Sequence, residues 1–196
     1  AHVLIEKPLA PSKAGVRDLL DFAIAQKVGV FVGCCLRFDS SLTTFRQKLP
    51  EIKPVYTVEI SCRSYLPEWR PGNNYQTGYA ASLQEGGVLR DLIHEIDYAL
   101  WLYGEPTRVF GRLANSGQLG IPTEDQAILL WKSNQGVQVC IQLDYLARTP
   151  VRYMTAYGEN GQISVDLINR KVTYQKPGDP PDIVSLNAAR DDMYLG

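Results

Sequence analysis

The chain has 196 residues, 45% of them hydrophobic and 21% charged, a composition that can bury a core and that excludes an intrinsically disordered protein. Lys and Arg number 20 and Asp and Glu 21, and a formal net charge of -1 provides no field that attracts nucleic acid or an anionic membrane. No segment approaches the roughly 20 apolar residues of a membrane-spanning helix, and no secretory signal is recognisable at the start. We therefore expect a folded cytoplasmic protein that binds neither nucleic acid nor membrane.

The cysteines do not indicate a metal site. Cys34, Cys35, Cys62 and Cys140 lack the two-residue spacing of zinc ligands, and only two histidines could join them. Free cysteines commonly behave as small buried hydrophobes, so we expect reduced thiols packed in the interior and no bound metal.

The first 36 residues predict a strand, a helix and a second strand. Val3–Ile5 is a short apolar run. After Ser12, a favourable helix N-cap, apolar residues recur at helical spacing until the helix ends near Gly29. Residues 30–36 form a second apolar run. This order is the repeating unit of a parallel sheet with its crossover helix, although two strands cannot form a sheet core alone.

The middle of the chain combines helices with a long loop. A short helix is predicted around residues 42–49 and a strand at 55–64, and a loop rich in tyrosine and proline covers about 65–79. Helical periodicity with an apolar face returns between Gly87 and Gly104.

The C-terminal half predicts a sheet. Apolar and polar residues alternate along 137–145, which is typical of a strand with one buried and one more polar face. The fold class is therefore α+β, with a largely antiparallel open sheet whose inner face packs on the helix at 87–104. A further helix is predicted to begin within 188–195. The strands are predicted at about 107–114, 126–133, 136–146, 151–158, 161–167 and 171–175.

One helical segment contains candidate acid–base residues. Asp91, His94 and Asp97 are three residues apart, so on a helix they share one side. A carboxylate beside a histidine can orient the ring and favour the protonated imidazole, as general acid–base catalysis needs. The alternative from the spacing alone is a solvated charged face of an amphipathic helix.

Three motifs in order give the chain a family resemblance. Glu6-Lys7-Pro8 follows the first predicted strand, and a Gly-Gly-x-Leu-x-Asp-x-x-His-x-x-Asp pattern runs from Gly86 to Asp97. Leu102-Tyr103-Gly104-Glu105-Pro106 comes next. In this order and spacing, followed by a strand-rich tail, nearly the whole chain resembles the glucose-fructose oxidoreductase and inositol dehydrogenase (Gfo/Idh/MocA-type) family.

The resemblance implies two domains. Residues 1–38 correspond to the end of a dinucleotide-binding Rossmann domain, a parallel αβ unit, and residues 39–196 to a substrate and oligomerisation domain that stops within its C-terminal helix. Such a Rossmann domain begins with a Gly-x-Gly-x-x-Gly turn that binds the pyrophosphate, and the sequence contains no such turn. We therefore expect that most of the nucleotide-binding domain is missing from this chain and that the isolated chain is inactive.

The resemblance also implies catalytic roles. Lys7, Asp91 and His94 are the catalytic candidates, and Glu6, Lys7 and Pro8 are the residues expected to bind the NAD or NADP cofactor, with a cis peptide before Pro8. His94 would act as the base and Lys7 would polarise the substrate oxygen. Asp91 would orient His94 or bind a neighbouring hydroxyl; in some polyol dehydrogenases of the family the aspartate and histidine are four apart rather than three. For Lys7, the alternative is a surface lysine at a strand end.

The aromatic loop is the candidate substrate site. Aromatic faces stack on sugar rings and arginine binds phosphate or carboxylate, which indicates Tyr65, Trp69, Arg70 and Tyr75 as substrate-binding residues. By the resemblance Arg37 joins them, and similar loops occur in family members of bacterial surface-sugar synthesis. The alternatives are that the aromatics only pack the loop onto the sheet and that Arg37 is an ordinary surface residue.

The resemblance implies an NAD(P)-dependent dehydrogenase that oxidises a secondary alcohol of a sugar, nucleotide sugar or polyol. Its subunits would form a homodimer or homotetramer through the outer face of the sheet, because apolar surface of that size is uncommon in monomers. The competing hypothesis is a non-catalytic carbohydrate-binding or oligomerisation module without cofactor.

Overall fold

A computed structural model describes residues 1–187, which divide into two compact units, residues 1–34 and the residues from Cys35 onward. The helix predicted to begin within 188–195 lies outside the described residues.

The first unit has the predicted strand–helix–strand order. Strands β1 (Val3–Ile5) and β2 (Val30–Val32) are parallel and are connected by helix α1 (Val16–Ala25). Ala23 is the buried residue of α1, whereas Leu4 and Ile24 are 72% and 73% exposed. The first unit therefore buries little apolar surface, as expected for two strands and one helix.

Two boundaries in this region differ from the sequence prediction. The helix begins at Val16 after Gly15, which has a φ of 72°, and Ser12 is not its N-cap because the Ser12 Oγ accepts from the Ala14 N–H in a local turn. β2 ends at Val32 rather than near residue 36, because Cys35–Phe38 turn into a 3-10 helix. The Lys7–Pro8 peptide is cis, as expected.

The first α-helix of the second unit is α2 (Ser40–Lys48). Its N-terminus is capped by Asp39, whose carboxylate accepts hydrogen bonds from the backbone N–H groups of Ser41 (2.9 Å) and Leu42 (3.2 Å). Leu42 and Phe45 are fully buried, so α2 contributes one apolar face to the core.

The rest of the second unit is built around one eight-stranded sheet. Its strand order is β10-β9-β8-β7-β3-β6-β5-β4. The helices α2, α3 and α4 all contact strands of this sheet, and the prediction that its buried face packs on the helical segment near 87–104 is confirmed. The remaining elements are β3 (Val55–Arg63), α3 (Val88–Asp91), α4 (His94–Tyr103), β4 (Pro106–Ala114), β5 (Gln126–Ser133), β6 (Gln138–Asp144), β7 (Val151–Gly158), β8 (Gly161–Asp166), β9 (Lys171–Gln175) and β10 (Asp182–Ser185).

The sheet is largely antiparallel, as predicted, but it contains two strands that were not assigned to it. β10 extends one edge beyond β9. β3 lies between β6 and β7, parallel to β6 and antiparallel to β7. Its central position buries Val58 and Ile60, and the parallel pair makes this a mixed sheet.

The predicted helix over 87–104 is two helices rather than one. The backbone of Leu92 leaves the helical region with φ -95° and ψ 36°, so α3 ends at Asp91 and α4 begins at His94. The prediction that Asp91, His94 and Asp97 lie on one side of a single helix was therefore wrong.

Candidate substrate-binding site

A pocket in the second unit collects several of the predicted ligand-binding residues. Its walls are the aromatic segment from Leu66 to Ala80 and the last residue of α3, and its volume is about 140 Å³. Small-molecule sites usually measure roughly 300–1,000 Å³, so this pocket suits one ring or small polar group rather than a whole dinucleotide. Four predicted residues line it: Trp69, Arg70, Tyr75 and Asp91.

Trp69 is both fixed and accessible in this pocket. Its Nε1 donates a hydrogen bond to the Ser64 Oγ at 2.8 Å, and its ring meets that of Tyr145 edge-on, with 5.3 Å between the ring centroids. The side chain remains 38% exposed. An indole oriented by two contacts and open to solvent can stack on an apolar ring face at little entropic cost.

Asp91 places a carboxylate on the pocket wall. The Tyr145 hydroxyl donates a hydrogen bond to the Asp91 Oδ2 at 2.9 Å, and Tyr145 is fully buried. Burial, together with the charge of Asp91, raises the pKa of Tyr145 above its usual range, so Tyr145 remains a donor. Burial and the charge of Asp91 also raise the pKa of Tyr79, a second phenol in the pocket wall.

The loop between β4 and β5 supports the pocket from behind. Gln76 donates its side-chain N–H to the Leu119 carbonyl at 3.1 Å, and the Thr123 hydroxyl donates to the Ala80 carbonyl at 2.8 Å. Glu124 accepts hydrogen bonds from the first two N–H groups of α3. Its backbone carbonyl accepts from the Val88 N–H at 3.1 Å, and its carboxylate accepts from the Leu89 N–H at 3.3 Å. The pocket and α3 are thus positioned by residues about forty positions away in sequence.

The two glycines before α3 are required by this packing. A Cβ on Gly86 would overlap the carbonyl oxygens of Tyr79 and Ala80, and a Cβ on Gly87 would overlap the Glu124 carboxylate. Gly87 also has a φ of 95°, which disfavours any other residue. The Gly-Gly part of the motif therefore has a structural role: it lets the helix approach the pocket wall.

Arg37, Tyr65 and His94 are not among the residues that line the pocket. The Arg37 guanidinium donates two hydrogen bonds to Asp97, and the Arg148 guanidinium lies over the Tyr65 ring at 3.5 Å from its centroid. His94 is the first residue of α4. Glu6, Lys7 and Pro8 follow β1 in the first unit. Sequence reasoning missed Asn73, Asn74 and Tyr79 in the wall, although all three lie within the loop it had selected.

The residue after His94 enters a buried ion pair. Glu95 is fully buried and its Oε1 lies 2.6 Å from the Nε of Arg152 on β7. Although burial alone would lower the pKa of Arg152, the Glu95 carboxylate raises it, so the arginine stays charged. The pKa of the neighbouring Cys62 thiol is raised by burial and by the charge of Glu95. This pair joins the first turn of α4 to the sheet.

None of the four cysteines is in a disulfide; Cys62 is buried and the other three are half-buried. Within residues 1–187 there is no group of three or more His, Cys, Asp or Glu side chains placed to bind a metal ion. No helix in that range has the length and apolar character needed to cross a membrane.

A protein-family model matches more than half of the chain. The model of the GFO/IDH/MocA C-terminal domain matches residues 51–164. No curated protein matches the sequence.

Several solved structures share the fold at low sequence identity. UDP-N-acetylglucosamine 3-dehydrogenase GnnA from Acidithiobacillus ferrooxidans is 21% identical with a TM-score of 0.79. The match covers 100% of this chain and 58% of the dehydrogenase. An inositol dehydrogenase homolog from Azotobacter vinelandii, complexed with NAD+, is 16% identical with a TM-score of 0.82. The match covers 96% of this chain and 52% of the homolog. An aldose-aldose oxidoreductase from Caulobacter crescentus, complexed with glycerol, is 17% identical with a TM-score of 0.83. The match covers 98% of this chain and 58% of the oxidoreductase. The chain thus spans between half and three fifths of the length of these proteins.

Proposed function

This chain belongs to the GFO/IDH/MocA oxidoreductase family, and we propose that it supplies the substrate-binding part of an NAD- or NADP-dependent dehydrogenase acting on a sugar, nucleotide sugar or polyol. The observation that carries the proposal is the pocket that unites an accessible indole, an arginine and a carboxylate, at Trp69, Arg70 and Asp91. These groups can supply stacking on a ring face, binding of an anionic substituent and hydrogen bonding to a hydroxyl, which together suit a sugar ring with an anionic substituent.

The proposed domain boundary lies four residues after the boundary between the two compact units, which follows Cys34. Residues 1–38 would be the last part of the dinucleotide-binding domain, and residues 39–196 the substrate and oligomerisation domain. Glu6, Lys7 and Pro8 follow the carboxyl end of a parallel strand, the edge at which open α/β sheets bind their ligands, which fits a place near the nicotinamide. The cofactor, when bound, would accept or donate the hydride.

In this mechanism the protein's own groups handle the proton and orient the substrate. Oxidation of a secondary alcohol releases a proton from its hydroxyl, and His94 would accept that proton while the Lys7 ammonium stabilises the oxygen. Asp91 would bind a neighbouring hydroxyl, because its carboxylate lines the pocket. Arg70 would bind a carboxylate or phosphate substituent, and Tyr65, Tyr75 and Arg37 would complete the substrate contacts. Arg37 would do so only after leaving Asp97.

The proposal includes an oligomeric state and a cellular compartment. A homodimer or homotetramer would form through the exposed face of the sheet, and the protein would work in the cytoplasm. Phe110 and Leu130 are cross-strand neighbours on that face and are 69% and 46% exposed, so apolar surface is available there.

A second function remains in competition. The sequence contains no Gly-x-Gly-x-x-Gly turn, which favours a carbohydrate-binding or oligomerisation module without cofactor for this chain taken alone.

Nucleotide binding separates the two functions. NADH and NADPH would be titrated by tryptophan fluorescence into this chain and into a longer polypeptide that carries a nucleotide-binding domain before it. We expect weak or no binding by the chain and clear binding by the longer protein. Absence of binding by both would contradict the dehydrogenase and leave the non-catalytic module.

A further inference from the structure

Tyr145 connects the two sides of the pocket without lining it. It follows β6 and is fully buried. Its hydroxyl donates to Asp91 on α3 at 2.9 Å, and its ring packs edge-on against Trp69 on the aromatic loop. One side chain therefore contacts both the carboxylate and the indole of the proposed sugar site.

The main chain of Tyr145 is also held by two hydrogen bonds. Its N–H donates to the Asp125 carbonyl at 3.0 Å, and its carbonyl accepts from the Leu66 N–H at 3.0 Å. Asp125 belongs to the loop that supports the pocket, and Leu66 begins the aromatic segment. A residue with both backbone groups and both ends of its side chain engaged has little freedom to move.

The hydroxyl of this phenol restrains the carboxylate. A phenol has one proton to donate, and Tyr145 donates it to Asp91. An ionised carboxylate can accept about four hydrogen bonds, and the bond that Asp91 accepts on Oδ2 restrains the plane of the group. Hydrogen bonds to ionised groups are about twice as strong as neutral ones, which makes this restraint significant in a partly buried site.

From these contacts we propose that Tyr145 is a positioning residue that orients Asp91 to accept a hydrogen bond from one ring hydroxyl of the ligand. The pair thereby determines the preference of the pocket for the hydroxylated ring over the matching deoxy ring. This inference rests on the proposed sugar-binding function of the pocket. A tyrosine with a purely structural role would affect all ligands equally.

The test uses this chain and matched variants. Tyr145→Phe retains the ring against Trp69 and removes the hydroxyl. Tyr103→Phe is the control, because Tyr103 is also buried but its hydroxyl contacts the Met154 Sδ on β7. Asp91→Asn removes the charged acceptor. Dissociation constants for D-glucose and for its 2-, 3-, 4- and 6-deoxy analogues would be measured by NMR titration of amide shifts.

For the wild type and Tyr103→Phe we expect one deoxy analogue to bind about tenfold more weakly than D-glucose, the size of one hydrogen bond to a charged group. In Tyr145→Phe this ratio should fall towards one while that analogue itself binds as in the wild type. Adding Tyr145→Phe to Asp91→Asn should change the ratio no further, because both act on the same interaction.

Two results would overturn the inference in distinguishable ways. A Tyr145→Phe variant that discriminates as the wild type does, or that loses all five sugars equally, shows that Tyr145 does not position Asp91 for recognition and leaves the sugar site intact as a proposal. A wild-type chain that binds none of the five sugars overturns the inference by removing the free-sugar site on which it rests, and the nucleotide titration then decides the proposed dehydrogenase.

Discussion

Arg37 and Asp97 form a bidentate ion pair: the Nε of Arg37 lies 2.8 Å from one carboxylate oxygen and its Nη2 lies 2.6 Å from the other. Arg37 lies on a 3-10 helix and Asp97 on α4, sixty residues later. The sequence indicated Arg37 as a substrate-binding residue and Asp97 as part of a possible catalytic face of a helix. In the structure the two residues are hydrogen-bonded to each other. The arginine of this pair has a structural role whether or not it also meets a ligand.

The first prediction measures that structural role. Asp97→Asn should lower the free energy of unfolding by about 1–2 kcal/mol, because it removes the charge from a close, half-buried pair. The control is Glu51→Gln, which changes a 3.7 Å pair with Lys48 on the surface and should cost less than about 0.5 kcal/mol. Urea unfolding followed by circular dichroism gives both values. Equal losses of unfolding free energy in the two variants would mean that the Arg37–Asp97 pair stabilises the fold no more than a surface pair does.

The second prediction concerns the buried pair beside His94. Glu95→Gln leaves the half-buried Arg152 cation without its counter-charge, so we expect a loss of about 2–3 kcal/mol in unfolding free energy. Glu59→Gln on β3 is the matched control, because Glu59 is exposed and accepts only a 3.3 Å bond from Tyr157. Thermal unfolding should show a large drop for the first variant and a small one for the second. Similar melting temperatures would contradict a stabilising pair.

The third prediction is chemical. The pKa of Cys62 is raised by burial and by Glu95, and alkylation requires the thiolate, so iodoacetamide should leave Cys62 unmodified in the native chain even at pH 9. Cys35, which is half-buried, should react, and urea should make both react. Because the unfolded chain ionises this thiol near its ordinary pKa while the folded chain keeps it protonated, stability falls as pH rises above about 8.5. Peptide mass spectrometry identifies the sites, and rapid native labelling of Cys62 would contradict its burial.

The fourth prediction tests association through the sheet. Phe110→Asp places a charge at the centre of the exposed apolar strip of β4 and β5 and should convert a dimer or tetramer into monomers. Leu83→Asp changes an equally exposed residue, 63% accessible, in a loop outside the sheet and should leave the assembly unchanged. Light scattering coupled to size exclusion reports the mass. A wild-type monomer, or equal effects of the two variants, would count against this interface.

The fifth prediction addresses the proposed chemistry in a protein that joins this chain to a nucleotide-binding domain. His94→Ala and Lys7→Ala should each lower kcat roughly 100- to 10,000-fold with little change in nucleotide affinity. Their effects should not add, because both groups act on the same proton. Lys13→Ala, an exposed lysine of the first unit, is the control. Near-normal turnover of His94→Ala would show that His94 is not the base.

Much of this architecture was determined by local sequence patterns. The alternation along 137–145 predicted β6 and its buried face, and the strand–helix–strand order of the first 36 residues appears in β1, α1 and β2. The aromatic loop was identified from its composition, and three of its residues, Trp69, Arg70 and Tyr75, do line the pocket. These features could be predicted because periodicity and residue type report directly which face of an element is buried and which segment is available for binding.

Only the tertiary structure decided which elements and side chains meet. Nothing in the alternation of β3 indicated its place between β6 and β7, and nothing near Asp91 indicated that Tyr145, 54 positions later, donates a hydrogen bond to it. The break at Leu92 separates Asp91 from His94 although the helical periodicity continues through it. Local patterns record the burial of a residue but not the identity of its partner, because strand pairing and side-chain hydrogen bonds join positions far apart in the chain.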